Sequence, residues 1–297
     1  MKQDMPIGGA IVAIVTPFSN GKVDEDALGA LIEWQIKQGT HCIVPCGTTG
    51  ESATLSHDEH MRVVEFTVET ARKRVPVIAG TGSNSTTETI MLTKHAKAAG
   101  ADAALVITPY YNKPSQEGLY QHFTRVAEEC RFPMILYNVP GRTGVNMLPE
   151  TVARCAKNRY VIGIKEATGN LKQVTDVIRC CPKNFVVLSG DDFTAFPIMA
   201  VGGRGVISVA SNVMPREMAA MMNAWAKGDM AKARQFHLKM FPLFEALFFE
   251  TNPVPAKTAL AMMGKIPSDE VRLPLAAMSE KNVDRLREVM TGLKLLG

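Results

Sequence analysis

The sequence has no run of five or six like charges, although 33 Lys and Arg against 29 Asp and Glu leave a formal net charge of +4. A nucleic-acid surface needs its cations clustered, so the spread of charge argues against that class of partner. Nor does any stretch approach the ~20 apolar residues of a membrane span. The short apolar run Ile7–Val15 ends at Thr16-Pro17, and the preceding Met1–Pro6 carries an early acid and too little positive charge for a signal peptide. The six cysteines (Cys42, Cys46, Cys130, Cys155, Cys180 and Cys181) form neither a C-x-x-C pair nor paired zinc-ligand spacing, which argues against a metal or redox motif. Scattered thiols suit a reducing compartment, where they behave as small apolar residues. A cytoplasmic protein is expected.

What the chain does have is rhythm. Eight short apolar runs, Ala10–Val15, Cys42–Cys46, Pro76–Ala79, Ala103–Thr108, Met134–Tyr137, Val161–Lys165, Phe185–Ser189 and Gly205–Val209, alternate with longer amphipathic segments. Runs this short and this apolar predict strands buried on both faces, as in a parallel sheet. The segments between them carry helix caps. Ser56 precedes Glu59 by three and Ser85 precedes Glu88 by three, the spacing of a capping box. Asp24–Asp26 place acids in a first turn ahead of Ala27, Leu31 and Trp34, while Gly39 and Gly100 fit helix ends. Eight strand–helix units predict an α/β fold, a (β/α)8 TIM barrel over residues 1–228. An open doubly wound sheet has the same rhythm. Residues 215–293 read as helix only, interrupted by Asn252-Pro253-Val254-Pro255, Pro267 and Pro274, and a C-terminal α-helical domain is expected over 229–297.

In such a barrel, chemistry belongs to the C-terminal strand ends. Strand two ends in Gly47-Thr48-Thr49-Gly50-Glu51-Ser52, strand four in Thr108-Pro109-Tyr110-Tyr111, strand five in Tyr137-Asn138 and strand six in Lys165-Glu166. By period-two alternation Lys165 shares the inner face with Val161 and Gly163, leaving Ile162 and Ile164 for the helices. Desolvation disfavours a charged amine, and a neutral one attacks a ketone to form an iminium. A lysine that merely closes a strand and pairs with Glu166 is the competing use. Tyr137, inward like Ile135, can move protons beside such an adduct or serve as a core tyrosine. Thr48 and Thr49 can hold a carboxylate or cap a helix entry. Arg142 offers a planar fork to a carboxylate, or simply sits solvated in its loop.

Other patterns carry less. Gly80-Thr81-Gly82 lacks the third glycine of a dinucleotide fingerprint. Gly202-Gly203-Arg204-Gly205 precedes strand eight, at the wrong end of the barrel for a phosphate cradle. His57 and His60 stand i, i+3 on one helix without a third ligand, so no metal is expected.

Together Gly47-Thr48-Thr49-Gly50-Glu51, Tyr137-Asn138-Val139-Pro140-Gly141-Arg142-Thr143 and Gly163-Ile164-Lys165-Glu166-Ala167 resemble the dihydrodipicolinate synthase family, within the pyruvate-dependent class I aldolase / N-acetylneuraminate lyase superfamily. The similarity runs through nearly the whole chain. It implies a lyase of lysine biosynthesis that needs no cofactor. Lys165 would bind pyruvate as a Schiff base whose enamine attacks L-aspartate-4-semialdehyde. Thr48, Tyr137 and Tyr111 match the family's proton-relay hydroxyls, with Tyr111 supplied by a neighbouring subunit. Thr49, Gly190 and Ile207 match positions around pyruvate, and Arg142 matches the one that receives the semialdehyde carboxylate. Ser52, Ala53, Leu55, His57, His60, Asn84, Glu88 and Tyr110 match an inhibitory L-lysine site at a dimer interface, although a capping box would explain Glu88 without any ligand. The resemblance further implies a homotetramer built as a dimer of dimers. N-acetylneuraminate lyase and 2-keto-3-deoxy-acid aldolases are the nearest alternatives, set apart by Arg142. A silent, metabolite-binding barrel is the non-enzyme alternative.

Overall fold

A computed structural model describes residues 7–296; the reading of Met1–Pro6 lies outside them. Eight parallel strands form one sheet: β1 Gly9–Ala13, β2 Cys42–Val44, β3 Ile78–Gly80, β4 Ala103–Ile107, β5 Met134–Asn138, β6 Val161–Glu166, β7 Val186–Ser189 and β8 Gly205–Ser208. Their order is β2-β1-β8-β7-β6-β5-β4-β3. The two ends of that order meet at the parallel bridge Ile43↔Val77, with Ile43 N–H donating to the Pro76 carbonyl at 3.0 Å. The open-sheet alternative is thereby set aside in favour of a barrel.

A helix follows each strand: α1 Glu25–Lys37, α2 His57–Ala71, α3 Thr86–Ala98, α4 Gln116–Cys130, α5 Pro149–Cys155, α6 Leu171–Cys180, α7 Asp192–Ala200 and α8 Pro215–Ala226. Beyond the barrel come α9 Met230–Ala246, α10 Val254–Met262 and α11 Glu280–Gly292. The caps lie where the sequence puts them. Asp24 accepts from Ala27 N–H at 2.9 Å, and Gly39 and Gly100 adopt positive φ just past their helices. At Ser56 and Glu59 both capping-box bonds form.

The apolar runs overshoot β2, because Pro45 has no N–H for the ladder and Cys46 turns into the left-handed region at φ 53°. Alternation sorts the core into two layers. Ile11, Val44, Ile78, Leu105, Ile135, Leu188 and Ile207 fill the barrel, whereas Val12, Ile43, Val106, Leu136 and Ile164 pack outward under the helices with Phe123 and Leu119. Complete burial of one such side chain stabilises by roughly 1.5–3 kcal/mol.

One expected alternation fails. Met134 pairs with Val161 but Ile135 pairs with Gly163, so Ile162 is an extra residue in β6. This β-bulge sends Val161 to the outer layer and Ile162 towards the barrel interior, the reverse of the expected placement. From Gly163 onward the phase is as expected.

Tight backbone packing accounts for the two glycine motifs. A Cβ on Gly80 would strike the Cys46 carbonyl, one on Gly82 the Ile107 amide, and one on Gly205 the backbone of Gly9.

Candidate active site

The Gly47–Gly50 turn lies between two left-handed residues, Cys46 and Glu51, each at φ 53°. It is closed by Gly50 N–H to the Gly47 carbonyl at 3.1 Å and Glu51 N–H to the Thr48 carbonyl at 3.1 Å. Thr16 Oγ1 ties it to the segment after β1 by donating to the Gly50 carbonyl at 2.7 Å. A Cβ on Gly50 would press on Cys46 N at 3.1 Å and the Ile14 carbonyl at 3.2 Å, so the position calls for glycine. The turn leaves Thr48 half-buried and Thr49 buried.

On the far side of the barrel mouth, Tyr137 and Lys165 are direct cross-strand partners. Each is 6% exposed, and the Lys165 ammonium sits 4.1 Å from the centre of the Tyr137 ring. Glu166, the suggested partner of Lys165, turns the other way. Its carboxylate accepts from Asn138 Nδ2 at 3.2 Å and Thr168 N–H at 3.0 Å. Burial pushes its carboxyl above the usual carboxylate range, against those hydrogen bonds.

Gly190 donates its amide to the Glu166 carbonyl at 2.7 Å, and a side chain there would run into Ala167. Ile207 is fully buried in the barrel opposite Ile11. Arg142 rides a one-turn helix, Pro140–Thr143, stopped by Gly144 at φ 71°. Its Nη2 donates to the Asn252 carbonyl at 3.3 Å. Tyr111 is 88% exposed on its own chain and held at φ 71°.

A cavity of about 520 Å³ joins Thr48 and Arg142 to Ser52, Ala53, Leu55, His57, His60, Glu88 and Tyr110. Asn84 is not among its walls, and its carbonyl instead accepts from Asn112 Nδ2 at 2.9 Å. The expected capping box at Ser85 is only half built. Ser85 Oγ accepts from Glu88 N–H at 3.4 Å, but the Glu88 carboxylate does not return to the Ser85 amide, which donates to Ser83 Oγ at 3.1 Å. Glu88 instead takes the Ser83 hydroxyl and His57 Nε2, the latter at 2.6 Å. The Ser83 hydrogen bond, then His57, hold its carboxyl below the usual range. The expected explanation of Glu88 by local capping is therefore replaced by a carboxylate turned toward the cavity.

His60 Nε2 donates to the Gly80 carbonyl at 2.8 Å. Burial holds both His60 and His122 down to about 4. Unfolded histidines titrate near 6.5, so between pH 6.5 and about 4 the unfolded chain binds more protons. The stability from keeping these rings neutral is complete above pH 6.5 and drains away as pH falls toward 4. His122→Gln should therefore gain about 2 kcal/mol on the wild type between pH 7 and pH 5, read from urea unfolding at both values. A constant difference between the two proteins would refute the assignment.

Four contributors escape sequence reasoning. Asn252 Nδ2 donates to Thr49 Oγ1 at 3.0 Å. The Glu51 carboxylate accepts from Lys257 Nζ at 2.7 Å and from Arg272 N–H at 3.0 Å. Asp191 follows Gly190. Burial pushes its carboxyl up, while the Lys165 and Arg142 cations draw it down. The pattern Asn252-Pro253-Val254-Pro255 announces a helix break, and nothing in it announces a contact with Thr49 some 200 residues earlier.

The dihydrodipicolinate synthetase family model matches residues 6–293. This chain belongs to that family. It is 62% identical to the 4-hydroxy-tetrahydrodipicolinate synthase of Syntrophus aciditrophicus, over 97% of this chain and 99% of the relative. Among solved structures, dihydrodipicolinate synthase from Aquifex aeolicus superposes with a TM-score of 0.96 at 49% identity, covering 97% of this chain and 99% of that one. The Acinetobacter baumannii enzyme, solved with pyruvate, gives 0.96 at 46% identity over 98% and 100%. The Cyanidioschyzon merolae enzyme, solved with lysine bound, gives 0.94 at 39% over 97% and 99%. The chain is thus an enzyme, a lyase of lysine and diaminopimelate biosynthesis built on a parallel barrel. Among the described residues no helix is long and apolar enough to cross a membrane.

Proposed function

We propose that this enzyme condenses pyruvate with L-aspartate-4-semialdehyde on Lys165, without a cofactor, to make 4-hydroxy-tetrahydrodipicolinate. The observation that carries the reading is the buried pair of Lys165 and Tyr137 on adjacent strands, facing each other across 4.1 Å at the barrel mouth. The Lys165 amine adds to the pyruvate ketone, and loss of water gives an iminium. Loss of a methyl proton makes the enamine, whose carbon bonds to the aldehyde of the second substrate. That substrate's own amine then attacks the iminium carbon, closing the ring and expelling Lys165. Each step moves protons, and the Tyr137 phenol beside the amine, with Thr48 and Tyr111, supplies the relay. Thr49, Gly190 and Ile207 surround pyruvate, and Arg142 takes the semialdehyde carboxylate. The pyruvate complex of the A. baumannii relative supports the first substrate.

Tyr111, exposed and held in an unusual conformation, serves the site of a neighbouring subunit in a cytoplasmic dimer of dimers. Residues 229–297 make up the C-terminal helical domain, beginning where Asp229 caps α9.

Borohydride reduction with pyruvate, followed by peptide mass spectrometry, tests the Schiff base. No adduct at Lys165 would refute Schiff-base chemistry at that residue. An adduct without turnover of the semialdehyde would favour the sugar-acid aldolases.

The end of the cavity around His57 and Glu88, away from Thr48 and Arg142, is the L-lysine site, a reading supported by the lysine-bound C. merolae relative and by a Glu88 carboxylate held below the usual range beside the cavity. Millimolar L-lysine should lower the rate. Full activity at saturating lysine, with no heat of binding, would discard this site.

A further inference from the structure

We propose that the buried Glu51–Lys257 ion pair is a positioning device for the Thr48–Thr49 turn, and that through it the C-terminal segment sets the enzyme's grip on pyruvate. Glu51 occupies the left-handed region without being glycine, a conformation that persists only where the surroundings over-determine it. Its own carboxylate does so. The side chain is 1% exposed, with one oxygen on Lys257 Nζ at 2.7 Å and the other on the Arg272 amide at 3.0 Å.

Lys257 is fully buried, and its ammonium lies 4.1 Å from the centre of the Phe18 ring, just beyond β1. A buried ion pair is weak evidence for stability, because desolvation opposes the attraction. Its value here is geometric. Lys257 stands in the first turns of α10, five residues after Asn252, whose side chain donates to Thr49 and whose carbonyl accepts from Arg142. Fixing Lys257 on Glu51 therefore fixes the segment that orients both.

The inference rests on the reading that Thr49 holds the pyruvate carboxylate. Lys257→Met alone strands a buried carboxylate and should lower the melting temperature. Adding Glu51→Gln removes that charge, and the double variant should recover most of the melting temperature. It should not recover function: KM for pyruvate is expected to rise about tenfold and borohydride trapping at sub-saturating pyruvate to slow in proportion, with kcat changed less than threefold. A purely structural pair would move KM and stability together.

Wild-type KM and trapping rate in the folded double variant would overturn the proposal. Should that variant not fold, Glu51→Gln alone is read by the same two quantities, with about a threefold rise in KM expected and an unchanged KM refuting the role. Absence of a Lys165 adduct in the wild type would instead sink the catalytic reading, which separates the two failures.

Discussion

Lys165→Ala is expected to lower kcat/KM by at least about 10⁴-fold, the scale of loss when a covalent nucleophile is removed, and to abolish the borohydride-trapped pyruvate adduct. The fold should survive. The Lys165 amine lies over the Tyr137 ring, and its neighbour Glu166 draws on Asn138 and Thr168 instead. Removing the amine therefore breaks no described ion pair, and the buried Asp191 carboxyl, which loses one of the two cations drawing it down, keeps Arg142. That separates catalysis from structure more cleanly than most buried charges allow, since breaking a buried ion pair would itself cost about 3–5 kcal/mol. Lys165→Arg should be just as inactive, because a guanidinium stays protonated and cannot add to a ketone. Retained adduct formation in either variant, or turnover within tenfold of the wild type, would move the nucleophile elsewhere.

The inward placement of Lys165 and Tyr137 was legible in the sequence because it depends on one local rule. Both close short apolar strands, and side chains two apart share a face. The same rule misplaced Val161 and Ile162 at the other end of β6. A bulge is a matter of pairing with a neighbour, and its one local sign, Gly163 inside a strand, does not say which residue is the extra one. Glu88 shows a second limit. Ser85 and Glu88 have the capping spacing, yet Ser83 Oγ takes the Ser85 amide and frees the carboxylate for His57. Local spacing states what a side chain can reach, and competition from a serine two residues upstream decides what it does reach.

The contribution of Asn252, Lys257 and Arg272 lay further out of sight. They meet Thr49, Glu51 and Glu59 across more than 200 residues of chain. Proline-rich punctuation marks where a helix stops but not which loop it touches. Residues 229–297 read in sequence as an appendage, yet they supply hydrogen bonds to the loop that carries Thr48 and Thr49.

Arg142→Leu should divide the two substrates. A hydrogen-bonded charge pair is worth about 3 kcal/mol, so kcat/KM for the semialdehyde is expected to fall roughly 10²-fold. Borohydride trapping of pyruvate at Lys165 should proceed at the wild-type rate. The asymmetry follows from where the residue sits. Its one-turn helix is fastened by backbone bonds to Val139 and Pro140, so trimming the side chain should leave Tyr137 undisturbed five residues earlier. The guanidinium lines the cavity with Thr48 and spends Nη2 on the Asn252 carbonyl, while a guanidinium has five N–H donors in a planar fork. Arg142→Lys keeps the charge but not the fork, and should recover only part of the loss. A variant that traps pyruvate as poorly as it uses the semialdehyde would place Arg142 on the first substrate instead, and the division of roles between Lys165 and Arg142 would have to be redrawn.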